Sequence, residues 1–120
     1  MNILIVDGNE AVRHTLCALL HDNCHEVCVA ESAEVAIVTI EEQDFNLVIT
    51  SFRMSGPKDG LDVIIDGKRR RPTCRFWLMS GALDRELIEQ AQACGAERAV
   101  HKPDMIQILR ETGIIRSPLH

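Results

Sequence analysis

Short apolar segments alternate with amphipathic segments five times along the chain, and this alternation restricts the fold more than any other feature of the sequence. The first apolar segment, residues 2–6, is almost uniformly aliphatic, which is typical of a strand buried on both faces of a parallel sheet. After it, Val12, Leu16 and Leu19 recur at the spacing of a helix packed on one side. Because the segments between strands are long enough for crossover helices, the pattern predicts a doubly wound α/β fold, with a five-stranded parallel sheet and five helices.

The limits of the other elements follow from residues that begin and end helices. Ser32 and Asp84 are predicted N-caps of the second and fourth helices, and Gly95 is a predicted helix end. A last helix is expected after Pro103, with Gly113 closing it. The predicted strands are residues 2–6, 26–30, 45–50, 75–79 and 99–101.

The third helix is the least regular of the five. It is expected to begin near Leu61, to carry Ile64 and Ile65 toward the core, and to end before Pro72. Gly67 lies inside it, at a cost of about 1 kcal/mol of helix propensity.

Length and charge limit the classes of function. The chain has 120 residues, of which 46% are hydrophobic, and a net charge of −5. This is enough apolar material for one core, so we expect one domain over residues 1–113 and a C-terminal tail over residues 114–120. An acidic domain of this size is a poor candidate for binding nucleic acid or an anionic membrane. With no long apolar run and no basic start, the chain is expected to be soluble and cytoplasmic.

The cysteines are expected to be free thiols, because their number is odd and they are scattered along the chain. One local cluster could be taken for a metal site: His21, Cys24, His25 and Cys28. No second Cys or His pair follows at the spacing of a zinc finger. We therefore interpret the cluster as a helix-to-strand loop, with Cys28 buried and both histidines exposed, and predict no metal site.

A basic run, residues 68–71, lies near the end of the third helix, and Arg75 follows it. The run resembles a binding patch. Since cations stabilise the carboxyl end of a helix, the preferred interpretation is a solvated helix end.

The site of a doubly wound sheet lies outside the carboxyl ends of its strands. Asp7 and Gly8 follow the first predicted strand, and Ser51 follows the third. Ser80 and Lys102 end the fourth and fifth. The predicted pocket therefore offers one carboxylate, two hydroxyls and one ammonium.

These segments resemble the receiver domain of two-component response regulators over essentially the whole chain. The matching segments are I-L-I-V-D at 3–7, F-N-L-V-I-T at 45–50, R-M at 53–54, D-G-L at 59–61, M-S-G-A at 79–82, A-C-G-A at 93–96 and H-K-P at 101–103. The resemblance implies a flavodoxin-like sheet in the strand order 2-1-3-4-5. It also implies phosphotransfer from a histidine kinase to an aspartate at the end of the third strand, with Mg²⁺ held by an acidic pair after the first.

At the positions that carry this chemistry, the sequence departs from the family pattern. Ser51 stands at the phosphoacceptor position, and Gly8 replaces one member of the acidic pair. Asp7, Ser80 and Lys102 are retained, the last two at positions that contact phosphoryl oxygens in family members. The resemblance thus implies a phosphorylation pocket that has become vestigial.

The switch of the family is also altered. Ala99 occupies the position, three residues before the lysine, where family members usually carry an aromatic ring that rotates on phosphorylation. The loop after the third strand has one extra residue, and Ser55 stands where Pro is common.

The chemistry of the remaining groups agrees with this interpretation. A serine hydroxyl is a weak nucleophile without an adjacent base, and no histidine is expected beside Ser51. Mg²⁺ prefers several carboxylate and phosphate oxygens, so Asp7 with Lys102 nearby predicts weak or absent Mg²⁺ binding and no bound cofactor. An Asp7–Lys102 ion pair is expected instead. Each residue also has a structural alternative. Asp7 could cap the first helix, Ser80 could be only a turn residue, and Lys102 could belong to the turn between the fifth strand and Pro103.

Three functions remain open. The leading hypothesis is a non-enzymatic pseudo-receiver that binds signalling proteins without phosphorylation. The second is a phosphorylatable response regulator whose acceptor has moved, for example to Asp59 or Asp7. The third is a metal- or ligand-responsive module. The expected partner is a histidine kinase or a downstream effector, and the face formed by helix 4, strand 5 and helix 5 is a candidate homodimer surface.

Overall fold

Five parallel strands form one sheet in the computed structural model, which describes residues 1–117. The strands are β1 (Asn2–Val6), β2 (Glu26–Ala30), β3 (Leu47–Ser51), β4 (Arg75–Ser80) and β5 (Arg98–His101). Their order is β2-β1-β3-β4-β5, which confirms the flavodoxin-like topology. In register, Ile5 lies opposite Val29 on one side and Ile49 on the other.

Five α-helices connect and cover the strands. They are α1 (Glu10–Asp22), α2 (Ala33–Glu42), α3 (Gly60–Arg70), α4 (Arg85–Cys94) and α5 (Met105–Glu111). A short 3₁₀ turn, Lys102–Asp104, precedes α5. Within residues 1–117, no helix combines the length and the apolar character needed to cross a bilayer.

The helices cover the two faces of the sheet with two separate cores. On one face, Leu16 of α1 and Leu109 of α5 pack with Ile5 and Trp77. On the other, residues of α2, α3 and α4 pack against the opposite side chains of the same strands. Because side chains alternate along a strand, both faces of the central strands are apolar, as the continuous aliphatic segments predicted.

The predicted helix ends are confirmed. The side chains of Ser32 and Asp84 accept hydrogen bonds from the amides of Val35 and Leu87, at 3.2 and 2.8 Å. Gly95 ends α4 with φ of 108°, a left-handed conformation that favours glycine.

One expectation for α3 changes. Ile64 is buried, but Ile65 is 53% exposed, so its assignment to the core was wrong. The inward stripe is formed by Gly60, Val63, Ile64 and Gly67, at the i, i+3, i+4, i+7 spacing. Gly67 is the contact point of α3 with the sheet, because a Cβ there would lie 2.6 Å from the Phe76 ring.

The packed part of the chain continues beyond residue 113. Ile114 and Ile115 are 7% and 3% exposed and belong to the core beneath α1 and α5. The expected tail therefore begins with two core residues, and its last three residues, 118–120, lie outside the described part of the chain.

The Cys/His cluster and the basic run are both engaged in the fold. His25 is half-buried rather than exposed, and its Nε2 lies 2.7 Å from the carbonyl oxygen of Ile114. Cys28 is half-buried rather than fully buried.

In the basic run, Arg70 pairs with Asp66 and Glu41, and Arg71 pairs with Asp44. The run is therefore an exposed helix end, as interpreted, and partly exposed ion pairs connect it to α2 and to its own helix.

Candidate functional site

The structure places the predicted site residues at the carboxyl edge of the sheet. Ser51 and Ser80 are the last residues of the neighbouring strands β3 and β4, and Asp7 and Lys102 follow β1 and β5. Asp7, Ser51 and Ser80 are buried, with exposed fractions of 2%, 2% and 6%.

Asp7 is held from both sides. Its Oδ1 accepts a hydrogen bond from the Asn9 amide at 2.9 Å, and its Oδ2 lies 2.8 Å from Nζ of Lys102. Oδ2 is buried and accepts no aligned hydrogen bond from the described residues, so the Lys102 charge alone compensates it. The expected ion pair is confirmed, and it leaves the pocket without a free carboxylate from Asp7.

The sequence analysis missed two residues that surround Asp7. Asn9, not Asp7, caps α1, because its side chain accepts from the Val12 amide at 3.2 Å. Arg13 donates from Nη1 to the backbone carbonyl of Asp7 at 2.8 Å. Asn at the start of the α1 stripe was the available signal for the cap, whereas nothing in the local pattern indicated the Arg13 contact.

The two hydroxyls are bound locally. Ser51 Oγ donates to the Arg53 carbonyl at 3.2 Å, and Ser80 Oγ accepts from the Ala82 amide at 3.2 Å. The described residues give Ser51 no histidine partner that could act as a base. Both side chains therefore stabilise the turns that follow their strands.

The glycine at the acidic-pair position is not required by the backbone. A Cβ on Gly8 would meet only the Glu31 carbonyl oxygen, at an ordinary contact distance of 3.8 Å. A Cβ could therefore be accommodated there. Gly60 differs, since a Cβ at that position would overlap the Ser51 carbonyl oxygen, and the Gly60 amide donates to Phe52 at 2.8 Å.

Asp59 and Ala99 also have structural roles. Asp59 caps α3 in a reciprocal capping box with Asp62, accepting from the amides of Leu61 and Asp62 at 2.9 and 3.2 Å. Ala99 lies on β5 opposite Leu78 and packs, half-buried, on the core shared by α2, α3 and α4.

No metal centre is formed by a single copy of the described chain. Among residues 1–117, no group of three or more His, Cys, Asp or Glu side chains is placed to hold an ion. In the Cys/His cluster, Cys24 is exposed with φ of 66°, while Cys28 packs toward the α2 side and His25 contacts Ile114.

An open groove adjoins the site between α1 and α5. It has a volume of about 400 Å³ and is lined mainly by apolar side chains, together with Lys102. Val12, Leu16 and Ile106 are among its lining residues.

The five-stranded parallel sheet and the Asp7–Lys102 pair at its carboxyl edge define a flavodoxin-like α/β domain of the receiver class. Residues 3–112 match the model of the response regulator receiver domain, and the chain belongs to that family. It is a receiver domain of two-component signalling.

Similar proteins support the same assignment. The chain is 30% identical over 104 residues to a putative NtrX-like response regulator of Rickettsia typhi, covering 86% of this chain and 22% of that protein. It is 26% identical over 110 residues to a cyclic di-GMP phosphodiesterase of Thermotoga maritima, covering 92% and 29%. The chain thus spans less than a third of either relative. A two-component response regulator of Clostridium difficile has the same fold, with a TM-score of 0.85, 22% identity, and 95% and 94% coverage.

Proposed function

We propose that this receiver domain is a pseudo-receiver, which acts as a protein-interaction module in two-component signalling without being phosphorylated. The observation that carries the proposal is the state of Ser51. It occupies the acceptor position at the end of β3, is 2% exposed, and uses its hydroxyl to donate to the Arg53 carbonyl. An acyl phosphate needs a carboxylate nucleophile, which this position does not supply.

The charges of the pocket support the same function. Asp7 is the one carboxylate retained at the edge, and the Lys102 ammonium 2.8 Å away neutralises it. A hard cation such as Mg²⁺ would have to displace this ammonium and find its other ligands among hydroxyls and carbonyls. We therefore expect Mg²⁺ to bind weakly and expect no bound cofactor.

A displaced acceptor is less well supported. Asp59 Oδ1 already accepts two amide hydrogen bonds as the cap of α3, and phosphorylation there would disrupt the helix start. Asp7 is buried against Lys102. Neither carboxylate is both exposed and free of a structural partner.

The absence of an aromatic ring at Ala99 supports a partner surface fixed in one conformation. In the family switch, a rotating ring and a phosphoryl group together favour one of two conformations. Here there is no ring to rotate and no phosphoryl group to attract Ser80, so neither group can shift the equilibrium between two conformations. The domain would then bind constitutively.

The proposed partners are a histidine kinase or a downstream effector, and the domain itself is proposed to be neither an enzyme nor a nucleic-acid binder. The cyclic di-GMP phosphodiesterase named above is a longer protein, and the chain matches 29% of it. The face formed by α4, β5 and α5 is a candidate homodimer surface.

The test is incubation with a small-molecule phosphodonor and Mg²⁺, followed by intact-mass measurement. We expect no mass gain for the natural sequence and slow gain of one phosphoryl group for the Gly8→Asp, Ser51→Asp double variant. The space beside Gly8 and the retained Ser80 and Lys102 motivate the rescue. The Gly8→Asp single variant is the matched control and should stay unlabelled. A phosphoryl group on the unmodified protein would refute the proposal.

A further inference from the structure

The groove between α1 and α5 has the size and the lining of a small-ligand site. Its volume of about 400 Å³ lies in the range of roughly 300–1,000 Å³ that is ordinary for such sites. Most of its lining residues are apolar, and the polar ones are Asn9, Thr15 and Lys102. An apolar wall with a few polar groups is the usual composition of a pocket that holds an apolar molecule and fixes its orientation.

Much of the apolar wall of the groove belongs to the core of the domain. Leu16 of α1, Met79 of β4 and Met105 of α5 all line the groove, and all three are buried. Ile106 is the one lining residue with a large exposed apolar side chain. A surface that receives a partner helix presents several large apolar side chains at once. The groove therefore suits a small molecule that reaches between α1 and α5 better than a helix that lies across them.

Lys102 is the charged residue of the lining, and Asp7 already compensates its charge. Nζ lies 2.8 Å from Asp7 Oδ2, and within residues 1–117 this carboxylate is the one acceptor that the ammonium contacts. Since an ammonium has three N–H donors, Lys102 retains donors for a ligand. It retains no uncompensated charge that would attract an ion. A second carboxylate in the groove would be repelled by Asp7, and a cation would be repelled by Lys102.

We propose that the groove between α1 and α5 binds a neutral small molecule that has an apolar body and one hydrogen-bond acceptor, such as an amide carbonyl. The apolar body packs against Val12, Leu16 and Ile106, and the acceptor receives an N–H of Lys102. Burial of the apolar body supplies the binding free energy, and the hydrogen bond fixes the orientation. The binding does not depend on the pseudo-receiver function, because phosphodonor labelling tests that function separately.

The test uses three probes that share one apolar chain and differ in the head group: octanamide, octanoate and octylammonium. Binding is followed by NMR of the labelled protein, from the shifts of its methyl groups. We expect octanamide to bind with a Kd of about 1 mM or lower, which a well-fitting ligand of about ten heavy atoms can reach. It should shift the methyl groups of Val12, Leu16 and Ile106 together. Each charged probe should bind at least about tenfold more weakly, because its charge would enter an apolar groove without a free counter-charge.

Two surface isoleucines supply a matched pair of variants. Ile106→Glu places a carboxylate in the lining of the groove and should weaken octanamide binding at least about tenfold. Ile65→Glu makes the same change on α3, at a residue that does not line the groove, and should bind octanamide like the natural sequence. Because both side chains are exposed, both variants should fold, and thermal unfolding without the probe checks this.

Three results would each overturn the proposal. The first is the absence of methyl shifts up to the solubility limit of octanamide. The second is equal binding of octylammonium, since Lys102 would then not face the ligand. The third is octanamide binding that Ile106→Glu leaves unchanged, or that shifts the exposed Val35 and Val38 of α2 as strongly as the groove, which would show general adsorption to apolar side chains.

Discussion

Lys102 reaches across the carboxyl ends of two strands to contact Asp7. The ammonium lies 2.8 Å from Oδ2, although β3 and β4 separate the strands from which the two residues emerge. The Asp7 side chain is 3% exposed and that of Lys102 is 29% exposed. The pair therefore closes the edge of the sheet with a partly buried charge contact, in the place where the family holds Mg²⁺ and a phosphoryl group.

Removing one partner of this pair should destabilise the fold. Lys102→Met leaves a buried carboxylate without a counter-charge, and we expect a loss of about 2–3 kcal/mol in the free energy of unfolding. Urea denaturation measures it. The Asp7→Asn, Lys102→Met double variant should recover part of the loss, because no charge remains buried. Strictly additive single and double effects would show that the contact contributes nothing.

Mg²⁺ should bind weakly, with a dissociation constant of about 1 mM or higher, because one neutralised carboxylate is a poor site for a hard cation. Titration calorimetry provides the measurement. The Gly8→Asp, Ser51→Asp variant is the comparison, and it should bind more tightly. Micromolar binding by the natural sequence would contradict the prediction.

Gly67→Ala should destabilise the protein, against the usual gain from replacing a helical glycine. The added methyl would lie 2.6 Å from the Phe76 ring, and such overpacking costs about 1–3 kcal/mol. Gly81→Ala is the matched control, since nothing lies within 4 Å of its Cβ position. The melting temperatures of the two variants are compared by thermal unfolding, and that of Gly67→Ala should be the lower. Equal melting temperatures would show that α3 shifts to accept the methyl.

The contribution of Glu97 to stability should depend on pH. The Arg75 guanidinium, with the Trp77 N–H as a second donor, holds the pKa of Glu97 below its ordinary value of 4.5. A lowered pKa in the folded state gives stability that is present above the unfolded-state pKa and lost as pH falls through the folded-state pKa. At pH 7, Glu97→Gln should cost at most about 1 kcal/mol, because the pair is partly exposed.

Urea titrations of both proteins at pH 7 and near pH 3 test this. The difference in the free energy of unfolding between Glu97→Gln and the natural sequence should become smaller at the lower pH. Glu89→Gln, at an exposed position on α4, serves as the control and should show no such difference. A difference in the free energy of unfolding that widens on acidification would contradict the prediction.

The partner surface should not exchange between two states. Backbone amides of residues 81–104 should show no collective microsecond-to-millisecond exchange in relaxation-dispersion NMR, with or without a phosphate analogue. The reason is the loss of the ring at Ala99 and of the acceptor at Ser51. Exchange spread over that region and sensitive to the analogue would reveal a switch that works by another route.

The sequence by itself determined the order of elements and the edge of the sheet that carries the site. Both depend on local signals: continuous aliphatic segments for central parallel strands, and polar residues such as Ser32 and Asp84 at helix starts. The Asp7–Lys102 pair could be predicted because the carboxyl ends of parallel strands lie at the same edge of the sheet.

Only the tertiary structure decided which side chains those elements bury and which charges they pair. Ile64 and Ile65 are equally apolar, yet α3 can turn only one of them toward Phe76, and Gly67 sets that rotation. Arg71 binds Asp44 and the carbonyls of α2 from 27 to 31 residues away in the chain. Such contacts depend on how helices pack on a sheet. A local pattern of residues contains no information about contacts between residues so far apart in the chain.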